Sequence, residues 1–211
     1  MTMTFGVEQA KKWIRKFNDK IQEQKEYLTE LDQAIGDGDH GLNMARGLQE
    51  VVNKITSVNY DELGSLFKDV GMTLIAKVGG ASGPLYGTAF MKASLALKDK
   101  KEADEKELVE ALVASLDGLK ARGKAQVGDK TMIDVWEPVI EFLTNSETIQ
   151  AKELSVLSKE KMEYTKELEA KKGRAAYLGK RSIGHIDPGA ASSYLLFATL
   201  AEVLDEGELA S

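Results

Sequence analysis

Residues 7–21, VEQAKKWIRKFNDKI, place Val7, Ala10, Trp13, Ile14, Phe17 and Ile21 on one side of a helical period, with charged residues between them. Leu28 and Leu31 continue that stripe past a break near Gln24. The same spacing recurs outward along the chain. Leu42, Ala45, Leu48, Val52 and Ile55 give a second stripe, and Leu63, Leu66, Phe67, Val70 and Leu74 a third, with Asp61 placed as its N-cap. Tyr86, Phe90, Ala93 and Leu95 mark a fourth; Leu108, Leu112, Val113, Leu116 and Leu119 a fifth, beyond the charge run from Lys98 to Lys106. Ile133, Trp136, Val139, Ile140 and Leu143 form a sixth, in which Pro138 predicts a kink. The Glu/Lys-rich stretch from Lys152 to Lys172 predicts a surface helix laced with charge pairs, with Leu154, Leu157, Met162 and Leu168 as its sparse apolar positions. A last helix follows Pro188; Tyr194, Leu195, Leu196, Ala198, Leu200 and Val203 make it apolar over more than one face, which places it in the interior.

No alternating run of β-branched residues is present, so no sheet is assigned. The expectation is an all-α fold of about eight antiparallel amphipathic helices. They form an up-and-down bundle or closed helical barrel, one domain over residues 1–211. Acids outnumber bases 34 to 28, a net charge of −6, which argues against a nucleic-acid partner because backbone binding needs a basic face. Apolar runs stay short of the roughly 18–20 residues that cross a bilayer, and Met1 to Gly6 lacks the basic-then-apolar pattern of a secretory signal. The absence of cysteine excludes disulfides, thiolate zinc sites and cysteine nucleophiles. A cytoplasmic protein is expected.

Four loops between the helices are rich in Gly, Asp and Ser: Gly36 to Gly41, Gly79 to Pro84, Gly128 to Thr131, and Gly184 to Gly189. In an up-and-down arrangement alternate junctions share an end, so the four can converge on one rim. The first matches G-x-G-x-x-G through Gly36, Gly38 and Gly41, yet a helical stripe rather than a strand precedes it, and its aspartates would repel a pyrophosphate. A cation reverses that sign. Asp37 and Asp39, with Asp32 one turn earlier, offer three hard oxygen ligands suited to Mg²⁺ that completes its shell with water and phosphate. An EF-hand is excluded, because Leu42 and Leu48 fall where glycine and a bidentate glutamate are required. The rival reading is a glycine-rich turn whose aspartates cap the helix starting near Gly41. Gly79 to Pro84, just before a helix, presents unhindered backbone N–H groups for an anion, with Ser82 and Thr88 as further donors. No Walker A sequence is present. Arg181, with Arg174 and Lys180 nearby, supplies positive charge.

Taken together, Leu31-Asp32, Ile35 to Met44, Gly79 to Thr88, Gly128 to Trp136 and Arg181 to Ala190 resemble the nucleotide-binding L subunits of dihydroxyacetone kinases, over essentially the whole chain. The resemblance implies an all-helical barrel with the nucleotide at one end. It implies Mg²⁺ on Asp32, Asp37 and Asp39, phosphate or ribose contacts from His40, Gly41, Leu42, Asn43, Ala81 and Ser82, and further ADP/ATP contacts from Gly123, Thr131, Met132, Arg181, Asp187 and Gly189. The loop Gly-Asp-Gly-Asp-His-Gly is similar to the form found in the phosphotransferase-dependent bacterial systems; ATP-dependent kinases tend to carry Cys at the His40 position, and fatty-acid kinase relatives Thr. The resemblance therefore implies bound ADP that a phosphohistidine subunit of the phosphotransferase system recharges to ATP, whose γ-phosphoryl passes to dihydroxyacetone held on a partner K subunit. The alternatives are the nucleotide subunit of an ATP-dependent kinase acting on dihydroxyacetone or a fatty acid, or a non-enzymatic regulatory adaptor that binds a transcriptional regulator. A homodimer is also left open.

Overall fold

The computed structural model describes residues 4–209; Met1 to Met3, part of the segment read for a secretory signal, lie outside them. The break near Gln24 divides the first stripe into α1 (Val7–Glu23) and α2 (Lys25–Ile35). Both pack on α3 (His40–Ser57) and on α9 (Pro188–Leu209) while barely touching one another, so together they make one stave. α4 (Leu63–Lys77), α5 (Ser82–Ala96), α6 (Glu105–Gly123), α7 (Ile133–Asn145) and α8 (Ala151–Tyr164) follow, each packed on its neighbours in the chain. α9 then returns to the α1–α2 stave and closes the ring. The described residues thus form the expected all-α closed barrel of eight antiparallel staves.

The barrel is filled by the stripes that built it. Leu63, Leu66, Phe67, Val70 and Leu74 are all buried, as are Ile133, Trp136, Val139, Ile140 and Leu143. α9 is a stave rather than a central helix, yet it is covered on more than one side, with Leu196, Phe197, Leu200, Val203 and Leu204 buried and Tyr194, Leu195 and Ala198 half-buried. Aromatic rings meet edge to face along the axis: Trp13 with Phe5 and Phe67, and Trp136 with Phe197 at 4.9 Å between centroids. Among the described residues, no helix is long and apolar enough to cross a membrane.

Several local expectations are corrected. Phe5–Gly6 (β1) pairs antiparallel with Glu102–Ala103 (β2), a sheet whose two-residue strands are too short for any alternation to reveal. The N-cap of α4 is Glu62 rather than Asp61; its carboxylate accepts the Ser65 N–H at 2.6 Å, the Gly64 N–H at 3.2 Å and the Asp99 N–H at 2.7 Å, so it fastens two connections at once. In α3 the buried stripe is rotated: Met44 and Val51 face inward, Leu42 is 54% exposed and Val52 half-buried. Leu95 is 66% exposed. The Lys152 to Lys172 helix stops at Tyr164, where the buried Thr165 turns its hydroxyl back to the Met162 carbonyl at 2.6 Å and a 3-10 turn, Thr165–Glu167, begins. That helix is also less superficial than its charges suggest, because Leu154, Ser158 and Met162 are buried.

Phe67 is fully buried between Trp13 and Phe90. Phe67→Ala is therefore expected to cost about 3–5 kcal/mol, read as a lower urea midpoint with the far-UV circular dichroism of the folded protein retained.

Candidate functional site

An even number of staves has a direct consequence. α2, α4, α6 and α8 end at the rim where α3, α5, α7 and α9 begin, so the four loops singled out in the sequence share one end. They enclose a cavity of about 660 Å³. His40, Ser82, Ile133 and Pro188, the first residues of α3, α5, α7 and α9, all line it. Four helix N-termini thus point their positive dipole ends at one space, which is an anion site by construction.

Carboxylates stand in that field. Asp32, Asp37 and Asp39 each offer an oxygen within 4.8 Å of the others. Asp32 is buried near the end of α2, and its Oδ2 accepts the backbone N–H of Asp39 at 2.8 Å and of His40 at 3.0 Å. The capping reading of the loop therefore holds for Asp32, which caps α3 from outside its own helix. It does not account for Asp37 and Asp39, whose carboxylates crowd the same spot; Arg174 Nε meets Asp37 Oδ2 at 3.0 Å. Three hard oxygen donors held this close, one of them fixed by backbone bonds, fit a divalent cation. Glycine is required beside them: a Cβ on Gly36 would lie 2.0 Å from Asp32 Oδ1.

His40 is buried and fully bonded. Ser192 Oγ donates to the Gly189 carbonyl at 3.1 Å, so it accepts from His40 Nε2 at 2.9 Å and from the Tyr86 hydroxyl at 2.7 Å. That leaves His40 Nδ1 as the acceptor of the Ser82 hydroxyl at 2.9 Å. The chain continues inward through Ser193, which receives the Trp136 indole N–H at 3.0 Å. Burial pulls the His40 imidazole down to about 4, so it is neutral at pH 7. Burial pushes the Asp187 carboxyl up to about 7, although it accepts the Ala190 N–H at 2.8 Å and faces Lys130.

Ala81, Ser82, Gly123, Thr131, Met132, Asp187 and Gly189 all line the cavity with His40 and the three aspartates. Gly41, Leu42 and Asn43 do not. Gly41 packs against α2, where a Cβ would meet the Lys25 carbonyl at 2.0 Å, and Leu42 faces solvent. The Asn43 side chain lies against Gly79 and accepts from Arg46 Nη2 at 2.9 Å. Arg181 is exposed and outside the lining; Arg122, Lys172 and Arg174 are the lining cations, together with the buried Lys130. In the sequence Arg174 stands out only as a neighbour of Arg181. Its one signal was the Lys172-Gly173-Arg174 run. Ser192 and Ser193 went unremarked, although two hydroxyls inside an apolar helix call for partners.

Fold and site together define a helical barrel with a carboxylate-bearing anion cavity at one rim. The model of the DAK2 domain matches residues 34–202, and the chain belongs to that family. Among its relatives is the ADP-binding subunit DhaL of PEP-dependent dihydroxyacetone kinase 1 from Listeria innocua, 49% identical over 95% of this chain and 98% of that protein. The ADP-binding subunit DhaL of the PTS-dependent dihydroxyacetone kinase from Lactococcus lactis is 50% identical over 91% of this chain and 95% of its own length. Among solved structures, the dihydroxyacetone kinase of C. freundii in complex with AMP-PNP and Mg²⁺ superposes with a TM-score of 0.76 at 25% identity, covering 96% of this chain and 35% of that one. The chain spans about a third of that kinase but nearly all of the bacterial subunits.

Removing Asp32 and removing Asp37 should differ. Asp32→Ala strips two N–H partners from α3 and is expected to cost about 1–2 kcal/mol in urea unfolding as well as Mn²⁺ binding followed by electron paramagnetic resonance. Asp37→Ala, at a largely exposed position, should lose the metal signal while changing stability by less than about 0.5 kcal/mol. Asp187 sets a pH dependence. Its folded pKa lies above the unfolded value, so its contribution to stability falls as pH rises from about 4 towards 7 and is level above. Urea titrations across that window should show a flatter profile for Asp187→Asn than for the parent.

Proposed function

We propose that this chain is the ADP-binding subunit of a phosphoenolpyruvate-dependent dihydroxyacetone kinase, a phosphotransferase subunit that carries its nucleotide as a resident cofactor. A phosphohistidine subunit of the phosphotransferase system delivers a phosphoryl group to ADP in the cavity. The ATP so formed gives it to a hydroxyl of dihydroxyacetone held on a K subunit, yielding dihydroxyacetone phosphate. The observation that carries this reading is the carboxylate trio set at the mouth of a cavity onto which four helix N-termini open. Nearly full-length likeness to the PEP-dependent subunits supports it over the ATP-dependent kinases, of which the chain matches only about a third, as in yeast dihydroxyacetone kinase 1.

Phosphoryl transfer asks a protein for positioning and charge neutralisation more than for a nucleophile. The start of α5, at Ala81 and Ser82, and the Met132 N–H at the start of α7 hold phosphate oxygens; the Thr131 N–H is already bonded to Asp134, so Thr131 offers only its hydroxyl. Asp32, Asp37 and Asp39 hold Mg²⁺, which when bound neutralises the phosphates and polarises the transferred group. Arg174, within reach of Asp37, takes the part that the sequence reading gave to Arg181. His40 is neutral and has both nitrogens engaged, so it orients Ser82 rather than accepting a phosphoryl group. Its only companion, His185, is exposed on the rim. The histidine that anchors dihydroxyacetone therefore comes from the K subunit. A homodimer or a transcriptional regulator is not required by this scheme.

Native mass spectrometry of the protein as purified is expected to show a mass excess of ADP plus magnesium. Turnover should require phosphoenolpyruvate and the relay proteins together with a K subunit, and Asp37→Ala should abolish it with the helical circular dichroism unchanged. Full turnover on added ATP with the K subunit alone would instead make the chain part of an ATP-dependent kinase.

A further inference from the structure

Lys130 is the least expected side chain in the cavity wall. It is 1% exposed, and its backbone sits at φ 60°, a left-handed conformation that lysine seldom adopts. The turn that imposes this is itself held by buried acids. Asp134 accepts the Gly128 and Thr131 N–H groups at 2.6 and 2.7 Å, and Asp129 accepts the Gln126 N–H at 3.0 Å. The result aims the lysine inward. Its Nζ donates to the Thr165 carbonyl at 2.6 Å, to the Leu168 carbonyl at 3.1 Å, and to the His185 carbonyl. An ammonium has three N–H groups and no acceptor, so these three oxygens use all of its hydrogen-bonding capacity. Asp187, Asp134 and Glu167 are near enough to offset part of the cost of burying its charge.

Those carbonyls stand at the two ends of the excursion between α8 and α9. The same neck is crossed by the Gly184 N–H on the Lys166 carbonyl at 2.8 Å and by the Asp187 N–H on Thr165 Oγ1 at 3.0 Å. Beyond the neck the excursion brings Lys172 and Arg174 over the cavity; just past it come Asp187 and the start of α9. Removing the ammonium would leave three carbonyls facing one another.

We infer that Lys130 is a positioning residue for the nucleotide: its ammonium ties shut the neck of the segment that carries Arg174 and leads directly into Asp187, and so holds that wall of the cavity in its ligand-ready shape. The inference rests on the nucleotide reading above. It assigns the lysine no contact with phosphate, since every one of its N–H groups is already engaged.

The test compares the parent, Lys130→Met and Lys130→Arg by calorimetry with ADP and Mg²⁺ and by amide hydrogen exchange without ligand. Lys130→Met keeps the length and removes the charge; its ADP affinity is expected to fall at least about tenfold, about 1.4 kcal/mol. Its exchange should quicken between residues 165 and 187 while the amides of α4 and α5 stay protected. Lys130→Arg should recover part of both. A Lys130→Met protein that binds ADP like the parent would overturn the inference. So would one that loses affinity with unchanged exchange at 165–187, because the lysine would then act through its charge alone. If Lys130→Met does not fold, Lys130→Arg decides: parent-like exchange with lost affinity counts against the tie, and parallel changes in the two count for it. A parent protein that binds no ADP overturns the nucleotide reading instead, and the exchange comparison still reads the tie.

Discussion

Like charges crowd together at one rim of this barrel only because opposing dipoles meet them there. Asp32, Asp37, Asp39, Asp134 and Asp187 would repel one another in a neutral environment. The starts of α3, α5, α7 and α9 answer them, and in three cases the answer is a specific bond: Asp32 with the N–H groups of Asp39 and His40, Asp134 with those of Gly128 and Thr131, and Asp187 with that of Ala190. Asp37 and Asp39 are left with oxygens free of backbone bonds. They are the pair that a cation, or in its place the Arg174 guanidinium, can take up.

The polar chain from Ser82 through His40, Ser192 and Tyr86 to Ser193 and Trp136 makes this rim rigid from below. It joins α3, α5, α7 and α9, the four helices whose starts form the cavity. Burial keeps the imidazole uncharged and raises the Tyr86 hydroxyl well beyond its ordinary range, so every proton in the chain stays where the geometry puts it. A buried polar network of this kind selects one arrangement of the four helices over near alternatives that an apolar seam would tolerate.

Much of the architecture was legible because barrel helices bury a single face, and a face buried every turn leaves a period in the sequence. The stripes from Leu63 to Leu74 and from Ile133 to Leu143 came through without error. Legibility failed where the period is diluted. In α3, Leu42 and Val52 fit the spacing as well as Met44 and Val51 do, and only the packing partner decides between them. The aspartate trio was readable because its members lie within one short stretch. Arg174 was not, since its approach to Asp37 depends on a 3-10 segment from Arg174 to Ser182 that has no periodicity to read and bends at Gly179, φ 54°. Lys130 was quoted as part of a loop, but nothing local to that loop foretells partners at Thr165, Leu168 and His185.

The direction of the staves also fixes where the polypeptide enters and leaves. α1 starts, and α9 finishes, at the pole remote from the cavity, where Lys16 bridges Glu202 and Glu206 at 2.9 and 3.1 Å and Lys12 joins Glu206. A polypeptide spliced on at either terminus would therefore emerge behind the mouth and leave it open to a docking protein. One barrel can in this way serve as a free-standing protein or as a segment of a longer kinase without rebuilding its ligand face.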